Sequence, residues 1–322
     1  MNIKNIVFSA ILFVAATILG LGALEVALRI KNSSMKNYDI EMWRYAKELK
    51  IRSQDPALGH VHLKNKSALL QSVDIRTNEW GLRGPPLNDA GESARRILFL
   101  GGSITLGWGV PEEDTVSVLV EKGLRERGES VEVFNGGIGN YNAQRYVERF
   151  FVELKDLNPT DIVVQYFQRD AEDLDPGRDN WILRNSELAV TTWIAVSRLI
   201  GKTGEASLLD HYREAYREDS IGYRNMRSAL QKLADYAKAN HIRVYLVMTP
   251  DVHNLKDYQF GFVHERMKRV AIELGYSYVD LLAAFGALTP EEVWAMPGDP
   301  HPNALGHKLM ADAIIPVVAI GK

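Results

Sequence analysis

A serine that follows an apolar run and two glycines is the first residue of this sequence whose surroundings suggest catalysis. Residues 97–100 are apolar and end at Gly101-Gly102, directly before Ser103. An apolar run of this length bounded by glycines predicts a buried strand that stops at a tight turn. Because reacting groups in parallel α/β sheets usually lie at the carboxyl ends of strands, Ser103 is a candidate nucleophile. The alternative is an ordinary turn residue.

A carboxylate and an imidazole lie two residues apart near the C-terminus, in the segment PGDPHPN. Pro300 and Pro302 restrict the backbone, so we expect them to hold Asp299 and His301 in a fixed, extended turn. In such a pair the carboxylate orients the ring, and the ring accepts the proton of a hydroxyl nucleophile. The alternative is a loop histidine beside a helix-capping aspartate. The following Asn303 is a candidate cap for the last helix.

The segment VEVFNGGIGNYNAQ predicts a second strand, which ends at Asn135 and leads into a glycine-rich turn. The glycines at positions 137 and 139 leave the backbone open to a substrate. The N–H groups of Gly139 and Ser103 could then hold a developing oxyanion together. The alternative is a plain turn between a strand and a helix.

From Arg96 onward, strand-like runs alternate with helical periods. This alternation predicts βαβ units and a parallel sheet with helices on both faces. The predicted strands are 97–100, 131–135, 161–167, 242–249 and 276–281, and the predicted helices are 40–50, 114–127, 142–157, 188–200, 221–240, 263–274 and 304–318. Residues 73–77 alternate in polarity and predict an extended segment laid over the main domain. The stretch 175–220 interrupts the pattern and is long enough to form a lid or a lobe beside the sheet.

Four stretches resemble, in order, the sequence blocks of the SGNH/GDSL hydrolases. Residues 101–107 (GGSITLG) are similar to the first block, 135–141 (NGGIGNY) to the second and 299–303 (DPHPN) to the last. Residues 77–84 (TNEWGLRG) are similar to a stretch that precedes the first block in membrane-linked members. Each block has low specificity alone, whereas four in this order with the right strand context are specific.

The resemblance implies a flavodoxin-like, three-layer α/β/α sandwich with a five-stranded parallel sheet. It implies Ser103 as the nucleophile, His301 as the general base and Asp299 as the residue that orients the imidazole. The backbone N–H groups of Ser103 and Gly139, together with the side chain of Arg169, would form the oxyanion hole.

Three features depart from the usual pattern of the family. Gly102 stands where the first block usually has aspartate, and Arg169 stands where the third block supplies asparagine. Arginine is the stronger donor, but it is longer and charged. Loss of one oxyanion donor typically costs about 10²–10³ in turnover. The D-x-H spacing of Asp299 and His301 replaces the commoner spacing of three residues and resembles the alginate-type polysaccharide O-acetyltransferase branch.

Composition and charge argue against several other functions. A net charge of −3 gives no concentrated basic face, so nucleic acid is not expected as a partner. The absence of cysteine excludes disulfides and thiolate chemistry. His60 and His62 have the spacing of a metal-binding pair but no third ligand nearby in sequence, so we predict surface histidines. Neither a metal nor a nucleotide cofactor is implied.

The N-terminus predicts a membrane anchor. Residues 6–24 carry no charge, and as a helix they would span about 28 Å, close to the thickness of the hydrocarbon layer. A cleaved signal peptide is the alternative, although its apolar core is usually shorter. One lysine precedes the run and three basic residues follow it closely, which leans toward a cytoplasmic body. The family resemblance implies instead a catalytic domain on the extracytoplasmic, periplasmic side.

Together these features predict a single-pass, membrane-anchored serine esterase or acyltransferase. Its substrate would be a small acyl ester, such as an acetyl group on an envelope polysaccharide. The alternative is a catalytically degenerate SGNH domain that serves as a binding or scaffold subunit of a polysaccharide assembly or export complex. The predicted division is an anchor at 1–33, a linker and N-terminal extension at 34–94, and a hydrolase-like domain at 95–322 with its insert at 175–220.

Overall fold

A five-stranded parallel sheet carries the residues singled out above. The computed structural model describes residues 3–87, 95–174, 180–200, 205–286, 288–297, 299 and 301–320. Its strands are β1 (Lys50–Arg52), β2 (His60–His62), β3 (Lys66–Leu70), β4 (Val73–Thr77), β5 (Arg95–Gly101), β6 (Val131–Asn135), β7 (Asp161–Phe167), β8 (Arg243–Thr249) and β9 (Ser277–Asp280). Its α-helices are α1 (Ile3–Asn32), α2 (Tyr38–Glu48), α3 (Ser103–Leu106), α4 (Val116–Glu126), α5 (Ala143–Arg149), α6 (Trp181–Asn185), α7 (Glu187–Ile200), α8 (Glu205–Ala215), α9 (Ile221–Ala239), α10 (Gly261–Leu274), α11 (Leu282–Phe285), α12 (Pro290–Val293) and α13 (Ala304–Ile320).

The central sheet has the strand order β6-β5-β7-β8-β9, and all neighbouring strands are parallel. This is the order of flavodoxin-like folds, as the resemblance implies. The winding of the chain reverses between β5 and β7, so the loops that follow these two strands leave in opposite directions and open a crevice. Ser103 lies in the loop region that follows β5 and therefore at this switch point.

Two apolar clusters cover the sheet and make the fold a three-layer sandwich. Helices α4 and α13 pack on one face, and helices α5, α9 and α10 pack on the other. Strand β7 lies in the middle and is buried along almost its whole length. Its sequence, DIVVQYF, is therefore nearly continuous in apolar and β-branched residues and does not alternate.

Most predicted elements are present, and their ends differ by a few residues. Strands β4, β6 and β7 have the predicted bounds, and β5 extends the predicted run at both ends. The helix predicted at 142–157 is α-helical only as α5. It continues as a π-helical turn at Phe150–Leu154 and a 3₁₀ turn at Lys155–Leu157, so its backbone hydrogen bonding changes twice.

The predicted extension before the sheet contains two antiparallel hairpins, β1–β2 and β3–β4. The β3–β4 turn consists of Gln71 and Ser72, which have φ values of +51° and +63°. Positive φ at both turn residues matches the right-handed twist of a hairpin. Arg83 bridges Thr77 on one side and Asn135 of β6 on the other, so the extension continues into the sheet. Residues 88–94 lie outside the described part of the chain.

Helices α1, α2, α6 and α7 form a separate compact unit. Helix α1 has 30 residues, and it is long and apolar enough to cross a membrane. The predicted insert at 175–220 is divided. Its helices α6 and α7 belong to this unit, and α8 belongs to the unit of the sheet. Residues 175–179 and 201–204 of the insert lie outside the described residues.

Candidate active site

Ser103, His301 and Asp299 form a continuous hydrogen-bonded relay. The hydroxyl of Ser103 donates to Nε2 of His301 over 2.6 Å, and Nδ1–H of the same ring donates to Oδ1 of Asp299 over 2.5 Å. These partners assign the ring proton to Nδ1 and leave Nε2 as an acceptor. Asp299 and His301 are buried and Ser103 is half-buried, so the hydroxyl is accessible while the carboxylate is shielded. The structure thus brings together the three residues of the predicted triad.

The backbone around Ser103 is fixed by the end of β5. Ser103 is the first residue of the short helix α3, whose first turn closes when Leu106 N–H donates to the carbonyl of Gly102 over 3.0 Å. A Cβ atom on Gly101 would lie 2.0 Å from Oγ1 of Thr105 and 2.8 Å from the carbonyl of Gln165. Only glycine permits the strand to turn into α3 at this distance, which places the serine at the carboxyl edge of the sheet.

The segment that carries His301 is held by helices on both sides. Ala295 N–H donates to the carbonyl of His301 over 2.9 Å, and Asn303 N–H donates to the carbonyl of Val293 over 2.7 Å. The side chain of Asn303 accepts from Gly306 N–H over 3.1 Å and caps α13, as predicted. Pro300, which we expected to stiffen this turn, and the neighbouring Gly298 lie outside the described residues.

Gln71 completes the surroundings of the carboxylate of Asp299, although nothing in the sequence pointed to Gln71. Its Nε2 donates to Oδ2 of Asp299 over 2.8 Å, while His301 N–H donates to Oδ1 over 3.0 Å. Gln71 is buried and lies in the β3–β4 turn, 228 positions before Asp299. No local sequence signal connects two positions so far apart. The N-terminal extension therefore contributes directly to the site.

The glycine-rich loop after β6 lies against the end of β5. Gly136 N–H donates to the carbonyl of Phe99 over 2.8 Å, and Ile138 N–H donates to that of Gly101 over 3.2 Å. A Cβ atom on Gly137 would lie 2.2 Å from the backbone nitrogen of Leu106, so the loop and α3 are in backbone contact. This packing brings the predicted oxyanion loop alongside the serine.

The carbonyl of Gly139 is bound by two side chains of the first hairpin. Nε2 of His60 lies 3.0 Å from this oxygen, and Nζ of Lys50 donates to it over 3.3 Å. Burial lowers the pKa of Lys50 to about 7 and that of His60 to about 3, and neighbouring cations act in the same direction. At neutral pH His60 is therefore uncharged and Lys50 is near its titration point. The two side chains together hold the backbone at Gly139 in place.

The prediction of surface histidines at positions 60 and 62 was wrong. His62 is fully buried, and its Nδ1 lies 2.9 Å from the carbonyl of Gly81, while His60 is half-buried on Gly139. Burial holds the pKa of His62 well below its usual range. Both rings bind backbone carbonyls in the interior because the β1–β2 hairpin is covered on this face. Within the described residues, no group of three or more histidine, aspartate or glutamate side chains could hold a metal ion.

The family profile described as GDSL-like Lipase/Acylhydrolase matches residues 99–309, which is more than half of the chain. The chain belongs to this family. It is an SGNH-type hydrolase that acts on ester bonds, and the resemblance to the SGNH/GDSL hydrolases is confirmed, while the alginate-type branch stays a prediction.

Several solved esterase structures are similar in fold to this GDSL-like protein. A catalytic mutant of an acetylxylan esterase from Geobacillus stearothermophilus is 16% identical, with a TM-score of 0.47 over 73% of this chain and 97% of that one. An α/β hydrolase from the metagenome of Lake Arreo is 16% identical, with a TM-score of 0.47 over 70% and 96%. A two-domain esterase active on acetylated mannans is 19% identical, with a TM-score of 0.46 over 70% and 49%. No curated protein matches the chain.

Two of the three departures from the GDSL-like pattern, Gly102 and Arg169, have different structural settings. At Gly102 a built Cβ atom has only the carbonyl of Tyr141 nearby, at 3.4 Å, so a side chain would nearly fit there. Arg169 lies directly after β7, in the 3₁₀ turn Gln168–Ala171, and its side chain is 54% exposed. Its Nε donates to Oε2 of Glu172 over 2.9 Å. Arg169 is thus at the carboxyl edge of the sheet, but the contacts of its Nε are with its own loop.

The TNEWGLRG stretch has a positioning function that the sequence analysis did not assign. The buried guanidinium of Arg83 donates through Nη1 to the carbonyls of Leu106 and Gly107, at 2.7 and 2.6 Å. Its Nη2 donates to the carbonyl of Val110 over 2.6 Å. These carbonyls lie at the end of α3, which begins at Ser103, and in the loop that follows it. Arg83 therefore ties the loop after Ser103 to the N-terminal extension.

Proposed function

We propose that this GDSL-like protein is a serine esterase in which Ser103 is the nucleophile, His301 the general base and Asp299 the residue that orients the ring. The observation that carries this proposal is the relay from hydroxyl to imidazole to carboxylate, at 2.6 and 2.5 Å. Oγ attacks the ester carbonyl carbon while its proton moves to Nε2. The tetrahedral intermediate then expels the alcohol, which takes that proton and leaves an acyl-serine. A second nucleophile, activated by the same imidazole, releases the acyl group.

The oxyanion would be held by the N–H groups of Ser103 and Gly139 and by the side chain of Arg169. The contacts of Gly136, Gly137 and Ile138 support the first two, because they hold the loop that contains Gly139 against the end of β5 and against α3. Lys50 and His60 support the same loop through their contacts with the carbonyl of Gly139. Preorganised backbone donors of this kind stabilise charge as it develops and need no rearrangement during the reaction.

Replacement of the nucleophile tests the proposal. We expect Ser103→Ala to reduce the turnover of p-nitrophenyl acetate by at least about 10³-fold, because the acyl-enzyme cannot form. A fluorophosphonate probe should label the wild-type chain at Ser103 with one-to-one stoichiometry. The matched control is Ser277→Ala, at an exposed serine of β9, which should keep both turnover and labelling. Full turnover by Ser103→Ala would show that another residue is the nucleophile.

The acyl group in this proposal is small, such as acetyl, and its donor or acceptor is an envelope polysaccharide. The support is the D-x-H spacing of Asp299 and His301, which resembles the polysaccharide O-acetyltransferase branch. Water as the second nucleophile gives a hydrolase, and a sugar hydroxyl gives a transferase. Incubation with an isotopically labelled acetyl ester and a deacetylated polysaccharide distinguishes hydrolysis from transfer. Label in free acetate indicates hydrolysis, and label on the polymer indicates transfer.

The enzyme is further proposed to be anchored by α1, with the division into anchor, extension and hydrolase-like domain predicted above. Helix α1 is about 45 Å long, longer than the hydrocarbon layer. Its C-terminal part is built into its own unit, because Glu25 accepts hydrogen bonds from the backbone of Glu187 and Leu188, and Asn32 donates to the side chain of Glu187 over 2.8 Å. Cleavage of a signal peptide just after residue 25 would remove Glu25 and its hydrogen bonds to α7, which favours an uncleaved anchor.

A topology reporter tests the anchor and its orientation. Alkaline phosphatase fused to the C-terminal end should be active in intact cells if the catalytic domain is extracytoplasmic. A fluorescent protein that matures only in the cytoplasm should be dark in the same position. The opposite pair of results would place the domain in the cytoplasm, as the flanking charges alone suggest.

A further inference from the structure

The start of α7 is fixed to the end of the apolar run of α1. The carboxylate of Glu25 accepts from the backbone N–H of Glu187 over 3.0 Å, from that of Leu188 over 2.9 Å and from the hydroxyl of Ser186 over 2.9 Å. A carboxylate at this position satisfies the first N–H groups of α7 and complements its dipole. Glu25 directly follows the uncharged run 6–24. Helix α7 therefore begins at the depth at which α1 leaves the hydrocarbon layer.

Helix α2 contacts α6 and the C-terminal end of α7, and α7 carries exposed apolar side chains. The indole N–H of Trp43 donates to the carbonyl of Leu183 over 2.7 Å, Asp39 pairs with Arg198, and Val190 is buried. The exposed face of α7 repeats at intervals of three and four residues and consists of Thr192, Trp193, Val196 and Leu199, with the half-buried Ala189 one turn before Trp193. An amphipathic helix in water would turn such residues inward.

The packing of α7 against α1 indicates what these side chains meet. Helix α7 contacts α1 and begins beside Glu25, the residue that directly follows the uncharged run. The exposed apolar side chains of α7 therefore belong to a helix that starts where the apolar run of α1 ends. We propose that α6 and α7 form an interfacial platform, in which Trp181, Ile182 and the exposed face of α7 insert into the lipid headgroup region beside α1. This inference rests on the proposed anchor.

The kinds of side chain fit a lipid interface. Of the six tryptophans in the chain, Trp181 and Trp193 are the exposed ones, at 77% and 58%, and the other four are buried or half-buried. Tryptophan is enriched where apolar chains meet headgroups. Helix α7 has 14 residues, or about 21 Å, which is too short to cross the hydrocarbon layer. It would lie in the interface and hold the platform against the bilayer.

The absence of cysteine allows a direct test by spin labelling of the full chain in phospholipid nanodiscs. Single cysteines are introduced as Val196→Cys and Leu199→Cys on the platform. Leu12→Cys in the middle of α1 reports the anchor itself, and Lys238→Cys on the sheet unit is the water-exposed control. Collision rates of each nitroxide with oxygen and with a polar nickel complex are measured. All four positions are exposed, and circular dichroism checks that each variant is folded.

We expect the ratio of oxygen to nickel collisions at Val196 and Leu199 to exceed that at Lys238 by about tenfold, because an apolar layer excludes the polar complex. Ratios at Val196 and Leu199 equal to that at Lys238, with a high ratio at Leu12, would overturn the platform and leave the anchor intact. A low ratio at Leu12 would overturn both. Immobilised nitroxides that neither reagent reaches would indicate a protein partner on this face and would also overturn the proposal.

Discussion

At the scale of single residues, the triad carboxylate is the group with the most demanding surroundings. Asp299 is fully buried, and each of its oxygens accepts a hydrogen bond. A buried carboxylate without donors would be costly, and its hold on the imidazole would be lost. Gln71 therefore acts as a positioning residue for the carboxylate, although it lies in the extension and far from the family's sequence blocks.

Removal of the Gln71 amide should affect catalysis more than binding. Gln71→Leu leaves Oδ2 of Asp299 buried without this donor, a loss of about 1–3 kcal/mol that should lower kcat by about tenfold or more. KM should change little, because the Gln71 amide acts through its hydrogen bond to Asp299. Steady-state kinetics with p-nitrophenyl acetate measure both. The matched control is Gln231→Leu, since Gln231 donates to Asp235 on the exposed face of α9 in the same way. An unchanged kcat for Gln71→Leu would refute the positioning role.

Arg169 is the proposed side-chain donor to the oxyanion. As an oxyanion donor it should be worth about 10²–10³ in kcat, so Arg169→Ala should lose that much. Arg169→Asn, which restores the usual family residue, should recover part of the loss. Arg213→Ala serves as the control, because Arg213 makes a comparable short-range ion pair with Asp210 on the surface of α8. If Arg169→Ala and the wild type have equal turnover, Arg169 does not donate to the oxyanion and only forms its ion pair with Glu172.

At the scale of elements, the site depends on the close contact of two loops at neighbouring strand ends. Gly137 in the loop after β6 touches the backbone of Leu106 in α3. The first hairpin supports the same loop through Lys50 and His60, and Arg83 ties the loop after α3 to the extension. The backbone of the candidate site is thus held by main-chain packing as much as by side chains.

A methyl group at Gly137 should separate these loops. In Gly137→Ala the Cβ atom would lie 2.2 Å from the Leu106 nitrogen and 2.6 Å from the Thr105 carbonyl carbon, and neither backbone atom can move freely. We expect a loss of about 3 kcal/mol in the free energy of unfolding, at the upper end of overpacking effects, and loss of fluorophosphonate labelling. Gly261→Ala is the control, because a Cβ atom there meets nothing within 4 Å and should change stability by less than about 1 kcal/mol. Wild-type labelling of Gly137→Ala would contradict the required contact.

At the scale of the whole molecule, a buried acid makes stability depend on pH. Burial raises the pKa of Asp170 to about 8, although Phe167 N–H donates to its Oδ2 over 3.1 Å. In the unfolded chain an aspartate titrates near 3.9. Between these values the folded protein holds a proton that the unfolded chain has released. The contribution of Asp170 to the free energy of unfolding is therefore complete below about pH 4 and declines as pH rises to about 8.

An amide in place of the Asp170 carboxyl should remove the decline in the free energy of unfolding with rising pH. In Asp170→Asn the difference in unfolding free energy between variant and wild type should grow from about pH 5 to about pH 8, in favour of the variant. Urea denaturation of the full chain at both pH values measures it. Asp235→Asn, at an exposed aspartate of α9, should show a constant difference. A constant difference for Asp170→Asn as well would mean that Asp170 is ionised in the folded protein at neutral pH.

The sequence alone determined the sheet, the serine turn and the D-x-H pair of this GDSL-like hydrolase. Apolar runs that end in glycine and polar segments with a helical period are local patterns, and Ser103, Asp299 and His301 stand at their ends. Only the tertiary structure decided which distant residues support them. Gln71 reaches Asp299, and His60 reaches Gly139, because the extension folds back over the sheet edge. Such contacts depend on how the chain packs over long sequence separations, which no local pattern records.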